Sequence, residues 1–242
     1  MIGFAPGDPL PDFAWGPTLQ SGPCWVIGNG PSLRSDDLTN IRETSWATNY
    51  IHLMYDRTSW RPDYWVATEL MDNRIGAWHT RQEYECFLTA NRADKIEKFR
   101  PALRRENVHY LPMCGHLWKR HDNPDRPAKL HLPEICLYGS SGSTAIQLAI
   151  LYGYNPVFLL GFDARILPAA RGASDPNHFS PVYGGTSEQE ITEGLADRWT
   201  RTWHDAHRQV AEAARELGVR IVNCSRYTSL DCYELGEFED HA

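Results

Sequence analysis

The chain has 242 residues, 42% hydrophobic and 12% aromatic, with a formal net charge of −7. That composition supplies the core of one large or two small packed domains and excludes a disordered chain. The acidic balance, with Lys and Arg scattered, also argues against a protein that grips nucleic acid through its phosphates.

Six cysteines stand at 24, 86, 114, 136, 224 and 232, with no C-x-x-C pair. A chain of this length needs no disulfide staples, so they read as reduced thiols of a cytoplasmic protein. The proline-rich start lacks a basic-then-apolar leader pattern. The most apolar stretch, 145–162, is interrupted by Gln147 and Asn155-Pro156. No membrane span is expected there.

Residues 1–22, rich in proline and glycine, read as an extension draped over the domain. The run Cys24-Trp25-Val26-Ile27 predicts a buried strand, and Gly28-Asn29-Gly30-Pro31-Ser32 predicts a sharp turn into a helix that begins at Asp36-Asp37. Strand, glycine turn and helix start present backbone N–H groups to a phosphate. Gly28 and Gly30 let a ligand approach the backbone, while Asn29 and Ser32 add an amide and a hydroxyl. The pattern is neither the dinucleotide fingerprint nor a P-loop. Taken alone it reads as a nucleotide site or simply as a tight turn.

Strands are expected over 44–49, ending in Asn49, and over 64–68, running into Glu69, Asp72 and Asn73. Residues 74–105 read as mostly helical, with charges on an outer face. A short strand is predicted over 108–111, a His- and Pro-rich loop over 113–135, a helix over 143–152, and a buried strand over 156–160 that ends at Gly161-Phe162-Asp163. Residues 164–187 lack periodicity and contain Arg165, Arg171, His178 and Tyr183, as a lid does. The longest helix is expected over 196–217 with Gly218 as its cap, then a last strand over 219–223. Strands alternating with helices predict an α/β Rossmann-like fold, its mostly parallel sheet covered by helices on both faces.

Several residues carry a chemical and a plainer reading side by side. Ser140, Ser141 and Gly142 open the 143–152 helix as an anion or ribose site, or as ordinary caps. Asn49 is a ligand contact or a turn residue. Asp163 binds a ribose, orients a base, or caps the turn that follows it. His178 is a solvated loop side chain or, delivered over a nucleotide, a general base with an unperturbed pKa near ~6.5. Cys114, His116 and His121 match no common zinc spacing. His204 and His207, beside Trp199 and Trp203, read as a packing face. Glu69 and Asp72 are a dipole-favoured acidic pair or ligands for Mg²⁺.

In order, Ile27 to Leu33, the strand-tip Asn49, the Ser141-Gly142 helix start, Leu160-Gly161-Phe162-Asp163 and the His178-Phe179 loop resemble the single-domain bacterial sialyltransferases. They are equally similar to a group that includes the archaeal 6-hydroxymethylpterin diphosphokinase and domains of flagellin-glycosylation factors. The resemblance spans about 24–230, in short blocks. It implies a nucleotide held by Gly28, Asn29, Gly30, Ser32, Asn49, Ser141 and Gly142. In the sialyltransferases a lid histidine deprotonates the acceptor hydroxyl, and His178 fits that position; transfer there inverts configuration and needs no metal. Those enzymes carry two lid tyrosines on the leaving phosphate. Here Ala164 and Arg165 follow Asp163, so Tyr183 stands as one candidate and Arg165 or Arg171 as a substitute cation. The stretch from Gly218 to Ser225 looks more like the second group.

The sequence therefore reads as one Rossmann-like domain over 23–242 with a lid over 164–187. Its expected activity is a glycosyltransferase that takes a nucleotide sugar and a hydroxyl acceptor, without a required cofactor. His178 and Asp163 are the expected catalytic pair, and Ser140, Arg165 and Tyr183 join the site. The alternatives are an ATP- and Mg²⁺-dependent diphosphokinase with Glu69 or Asp72 on the metal, and a nucleotide-binding module without chemistry. The oligomeric state is left open.

Overall fold

The computed structural model describes residues 19–68, 79, 82–89, 107–111, 140–181, 183 and 190–242. Strands β1 (Cys24–Ile27), β2 (Thr44–Thr48), β3 (Tyr64–Ala67), β4 (Glu85–Thr89), β5 (Val108–Leu111), β6 (Val157–Leu160), β7 (Ile221–Asn223) and β8 (Glu234–Leu235) form one sheet in the order β5-β4-β3-β2-β1-β6-β7-β8. Every pairing is parallel. The fold is thus the expected α/β Rossmann-like single domain.

Successive residues of a strand point to opposite faces, and each face here is buried. Val26, Trp46, Val66, Phe87 and Leu159 face helices α2 (Ser141–Leu151) and α3 (Glu193–Glu216). Trp25, Ile27, Ala47, Trp65, Leu88 and Leu160 face the other way, onto Leu38 of α1 (Ser35–Asn40), Ile51, Met54 and Phe238. Helix α2 is buried along nearly its whole length, Ser141, Ser143, Thr144 and Gln147 included. Helix α3 buries only a stripe, with His207, Val210, Ala211 and Ala214 at helical spacing. It ends at Gly218, whose φ of 70° suits glycine.

Two expectations are corrected. The strand over 219–223 is not the last, because β8 pairs with β7 beyond it. Within 74–105, read as mostly helical, residues 85–89 form strand β4, with Cys86, Phe87 and Leu88 fully buried. A three-residue apolar core cannot be told from a helical pattern by periodicity. Pairing on both sides, with β3 and β5, decides it. The expected extension lies outside the described residues up to 18; its end is tied down where Gln20 N–H donates to the Tyr152 carbonyl at 2.7 Å. No helix among the described residues is long and apolar enough to cross a membrane.

The chain runs outward from β1 to β5, then returns to place β6 on the other side of β1. That reversal leaves a crevice beyond the carboxyl ends of β1 and β6, where open α/β sheets bind ligands.

Candidate functional site

The crevice is closed at its base by two tight crossings. Gly28 N–H donates to Leu160 O at 2.8 Å, and Gly30 N–H donates to Gly161 O at 2.9 Å. A Cβ on Gly28 would stand 2.5 Å from the Gly161 carbonyl oxygen. The strand ends approach that closely only because both positions are glycine. Asp163 then reaches across the crevice, and its Oδ2 accepts the Ser32 N–H at 2.8 Å. Burial pushes the Asp163 carboxyl up, offset in part by Ser32. Asn29 donates from Nδ2 to Thr48 O and Oγ1, at 2.9 and 3.0 Å. Its Oδ1 is buried and meets no partner among the described residues. Ser32 Oγ and Asp163 Oδ1 are likewise buried and without a partner among the described residues.

The side wall joins three strand and helix ends. Asn49, at the tip of β2 with a φ of 46°, accepts the Ser141 hydroxyl on Oδ1 at 2.8 Å. The same Ser141 oxygen takes the Thr68 N–H at 3.0 Å. Ser140 caps α2 in a reciprocal bond with Ser143, so its side chain is spent on the helix. Ser141 and Gly142, the first residues of the 11-residue helix α2, line the cleft at the helix's positive end. A Cβ on Gly142 would press on the Phe162 ring at 2.7 Å.

The roof is the described part of the 164–187 loop. Asp175 and His178 form a pair, Oδ2 to Nδ1 at 2.7 Å, with the Asp175 carboxylate fully shielded from solvent and His178 19% exposed. Asp175 also receives the Asn177 N–H on Oδ1 at 2.8 Å, and Asn177 is in turn locked to both backbone groups of Leu167. Tyr183 lies flat on the His178 ring, centroids 3.6 Å apart and planes parallel. Its hydroxyl meets the Asn49 side chain and the Tyr50 backbone, while burial pushes its phenol up. Phe179 N–H donates to Asn29 O at 3.0 Å, which docks the roof directly on the glycine turn. Ala164, at a φ of 50°, swings the chain so that the exposed Arg165 borders the opening.

The floor is aromatic: Phe162 from the end of β6, with Trp203 and His207 from α3. Phe162 is held by Ser225, whose hydroxyl takes its N–H at 2.7 Å, and by Thr228, whose hydroxyl donates to its carbonyl at 2.8 Å. The cleft has a cavity volume of about 100 Å³ and opens to solvent.

Of the residues singled out from the sequence, Gly28, Asn29, Gly30, Asn49, Ser140, Ser141, Gly142, Asp163, Arg165, His178 and Tyr183 line this one cleft. Ser32 lies behind the turn, with its amide on Asp163. Arg171 is exposed and not part of the lining. Glu69, Asp72, Cys114, His116 and His121 lie outside the described residues. His207 packs as expected, buried against Phe162 and Tyr233, and it also borders the cleft. Asp175 and the floor residues Phe162, Trp203 and His207 were not anticipated. An Asp three residues before a loop histidine was the available signal for the first. The helical spacing of Trp203 and His207 on the inner face of α3 was the signal for the second.

No protein-family model matches the chain, and no curated protein does. Among solved structures, the chain is similar to the sialyltransferase CST-II in complex with trisaccharide acceptor and CMP. The two share 13% identity over 88% of this chain and 85% of that one, at a TM-score of 0.46.

Proposed function

We propose that this protein is a nucleotide-dependent transferase of the glycosyltransferase kind, moving a sugar from a nucleotide donor to a hydroxyl acceptor. The observation that carries this reading is the Asp175–His178 pair in the cleft that also holds the glycine turn and the α2 N-terminus. A hydroxyl is a poor nucleophile near neutral pH and needs a positioned base. Asp175 holds His178 through Nδ1, which leaves Nε2 to take the acceptor proton. As that proton leaves, the acceptor oxygen bonds to the anomeric carbon. The bond from that carbon to the donor phosphate oxygen breaks, and the electron pair departs with the phosphate. The Ser141 and Gly142 amides and the Arg165 guanidinium receive its growing negative charge. Asn29 Oδ1 meets a donor of the bound nucleotide. Closure of the loop over residues 164–187 is part of the reading, since Phe179 N–H already spans to Asn29.

The test is a thermal-shift screen of CMP, UDP, GDP, ADP and ATP, each with and without Mg²⁺. A ligand present at 100 times its Kd adds about 2.7 kcal/mol to stability. Stabilisation by one of CMP, UDP or GDP in the absence of metal is expected. Stabilisation by ATP alone, and only with Mg²⁺, replaces the glycosyl reading with phosphoryl transfer. No response to any of the five overturns both.

A further inference from the structure

His178 meets Tyr183 face to face, ring centroids 3.6 Å apart and planes parallel. At that separation the rings are almost directly superposed. Two neutral aromatic rings avoid this arrangement, because their negative faces oppose each other. A cation over the face of a tyrosine is attracted instead. The stack therefore suits the imidazolium, the form His178 takes once it has accepted a proton.

The Tyr183 plane is fixed independently of His178. Tyr183 is 5% exposed, and its N–H donates to Ser180 O at 3.1 Å. Its ring packs on Tyr50, centroids 4.8 Å apart, and edge-on against Phe179 at 6.2 Å. Its hydroxyl is engaged by the Asn49 side chain and the Tyr50 backbone, and Asn49 accepts the Ser141 hydroxyl at 2.8 Å. Asp175 holds His178 by one edge, Oδ2 to Nδ1 at 2.7 Å. One hydrogen bond leaves an imidazole free to turn about the line of that bond. A rigid ring lying flat against it removes that freedom, so Nε2 keeps one direction.

We infer that Tyr183 is a positioning residue for the base: its ring face holds the imidazole plane and stabilises the imidazolium that forms as the acceptor proton arrives. This rests on His178 serving as the base of the transfer proposed above.

The test compares Tyr183→Leu, which removes the face, with Tyr183→Phe, which keeps it. Asp175, on the His178 edge, and Asp163, Arg165 and His207, the other ionisable side chains lining the cleft, stay in place in both variants. The first readout is the NMR titration of His178 in histidine-labelled protein, assigned against His178→Ala. The face favours the charged form, so its removal should lower the His178 midpoint relative to the parent by about 0.4 to 0.7 of a pH unit, the equivalent of one cation–π contact. Tyr183→Phe should recover most of that shift. In the parent, the His178 ring protons should lie upfield of those of exposed histidines, displaced by the Tyr183 ring current; this measurement needs no variant to fold.

The second readout is free nucleotide released from CMP-N-acetylneuraminate, UDP-glucose and GDP-mannose, with lactose as the hydroxyl acceptor. For the donor that the parent cleaves, Tyr183→Leu should lower kcat about threefold to tenfold with KM unchanged, and Tyr183→Phe should recover most of the loss. A His178 midpoint that stays put in Tyr183→Leu, a Phe variant shifted as far as the Leu variant, or parent ring protons without the upfield displacement overturns the inference and leaves the transfer reading standing. A parent that cleaves none of the three donors overturns the transfer reading, and with it the part of Tyr183 in catalysis, even where the titration moves.

Discussion

Gly30 lies against Asp163 so closely that a Cβ there would stand 2.8 Å from the Asp163 carboxyl carbon and 2.7 Å from the Gly161 carbonyl oxygen. The turn and the β6 tip are therefore one packed unit. Gly30→Ala must push them apart, at a cost of about 1–3 kcal/mol, the range for overpacking. The Asp163 bond to Ser32 N–H should loosen with it. We expect a lower urea midpoint and at least a tenfold loss of affinity for whichever nucleotide stabilises the parent. A variant with unchanged midpoint and affinity would show that the turn is not the nucleotide seat.

Asp175→Asn keeps the shape of the side chain but removes the carboxylate that fixes the His178 ring. With His178 as the base, both Asp175→Asn and His178→Ala should lose at least about a hundredfold in kcat while nucleotide affinity holds. The check is steady-state turnover alongside calorimetry on the same preparations. Turnover within a few-fold of the parent in both variants would remove His178 from the chemistry.

Ser141→Ala takes one hydroxyl away from Asn49, Thr68 N–H and Thr68 Oγ1 together. Losing these part-buried hydrogen bonds costs about 1–3 kcal/mol together. The urea midpoint should fall by that equivalent with the slope unchanged. Ser140→Ala should cost about 1 kcal/mol through the lost cap and spare the wall. Equal effects on nucleotide binding from the two variants would contradict the division of labour between these neighbours.

Acid should destabilise the fold before its carboxylates titrate. Burial lowers His207 from 6.5 to about 3 and His79 to about 2. The unfolded chain protonates both near 6.5 while the folded chain does not. Their stabilisation is whole above 6.5 and declines as pH falls toward those lower values, by about 1.4 kcal/mol per pH unit for each. Asp163, raised by burial, has the opposite sense: its contribution is present below its ordinary value and lost as pH rises through the raised one. Urea denaturation at pH 5, 6 and 7 should show the decline, and His207→Phe should reduce its slope by about one proton. An unaltered slope would mean that His207 titrates normally in the fold.

The sheet and the glycine turn were legible because they rest on local signals: apolar runs bounded by glycine, and polar residues at strand tips. Strand β4 was not, because Cys86-Phe87-Leu88 is too short to show a period and its strand character comes from neighbours on both sides. The roof was legible only as an irregular segment. Its order comes from side chains that bond back to the main chain, Asn177 to Leu167 and Asp175 to Asn177, which leave no periodic trace. His207 shows the opposite difficulty. Its helical spacing announced a buried face, and only the packing of α3 beside β6 opens that face to the cleft.

Ser32 and Asp163, which clamp the crevice, are 131 residues apart in the chain. Strand β6 docks on β1 only after the outward run to β5 is complete. The hydroxyls that hold the β6 tip, at Ser225, Thr228 and Ser229, come later still. Closing so long a loop carries its entropic cost before any contact rewards it, so the crevice forms late in folding. A nascent chain that has only its first half outside the ribosome displays the glycine turn but no receptor. Competence to bind waits until the segment from Ser225 to Ser229 has been made, and a chain cut short before Ser225 keeps most of its strands while losing the site.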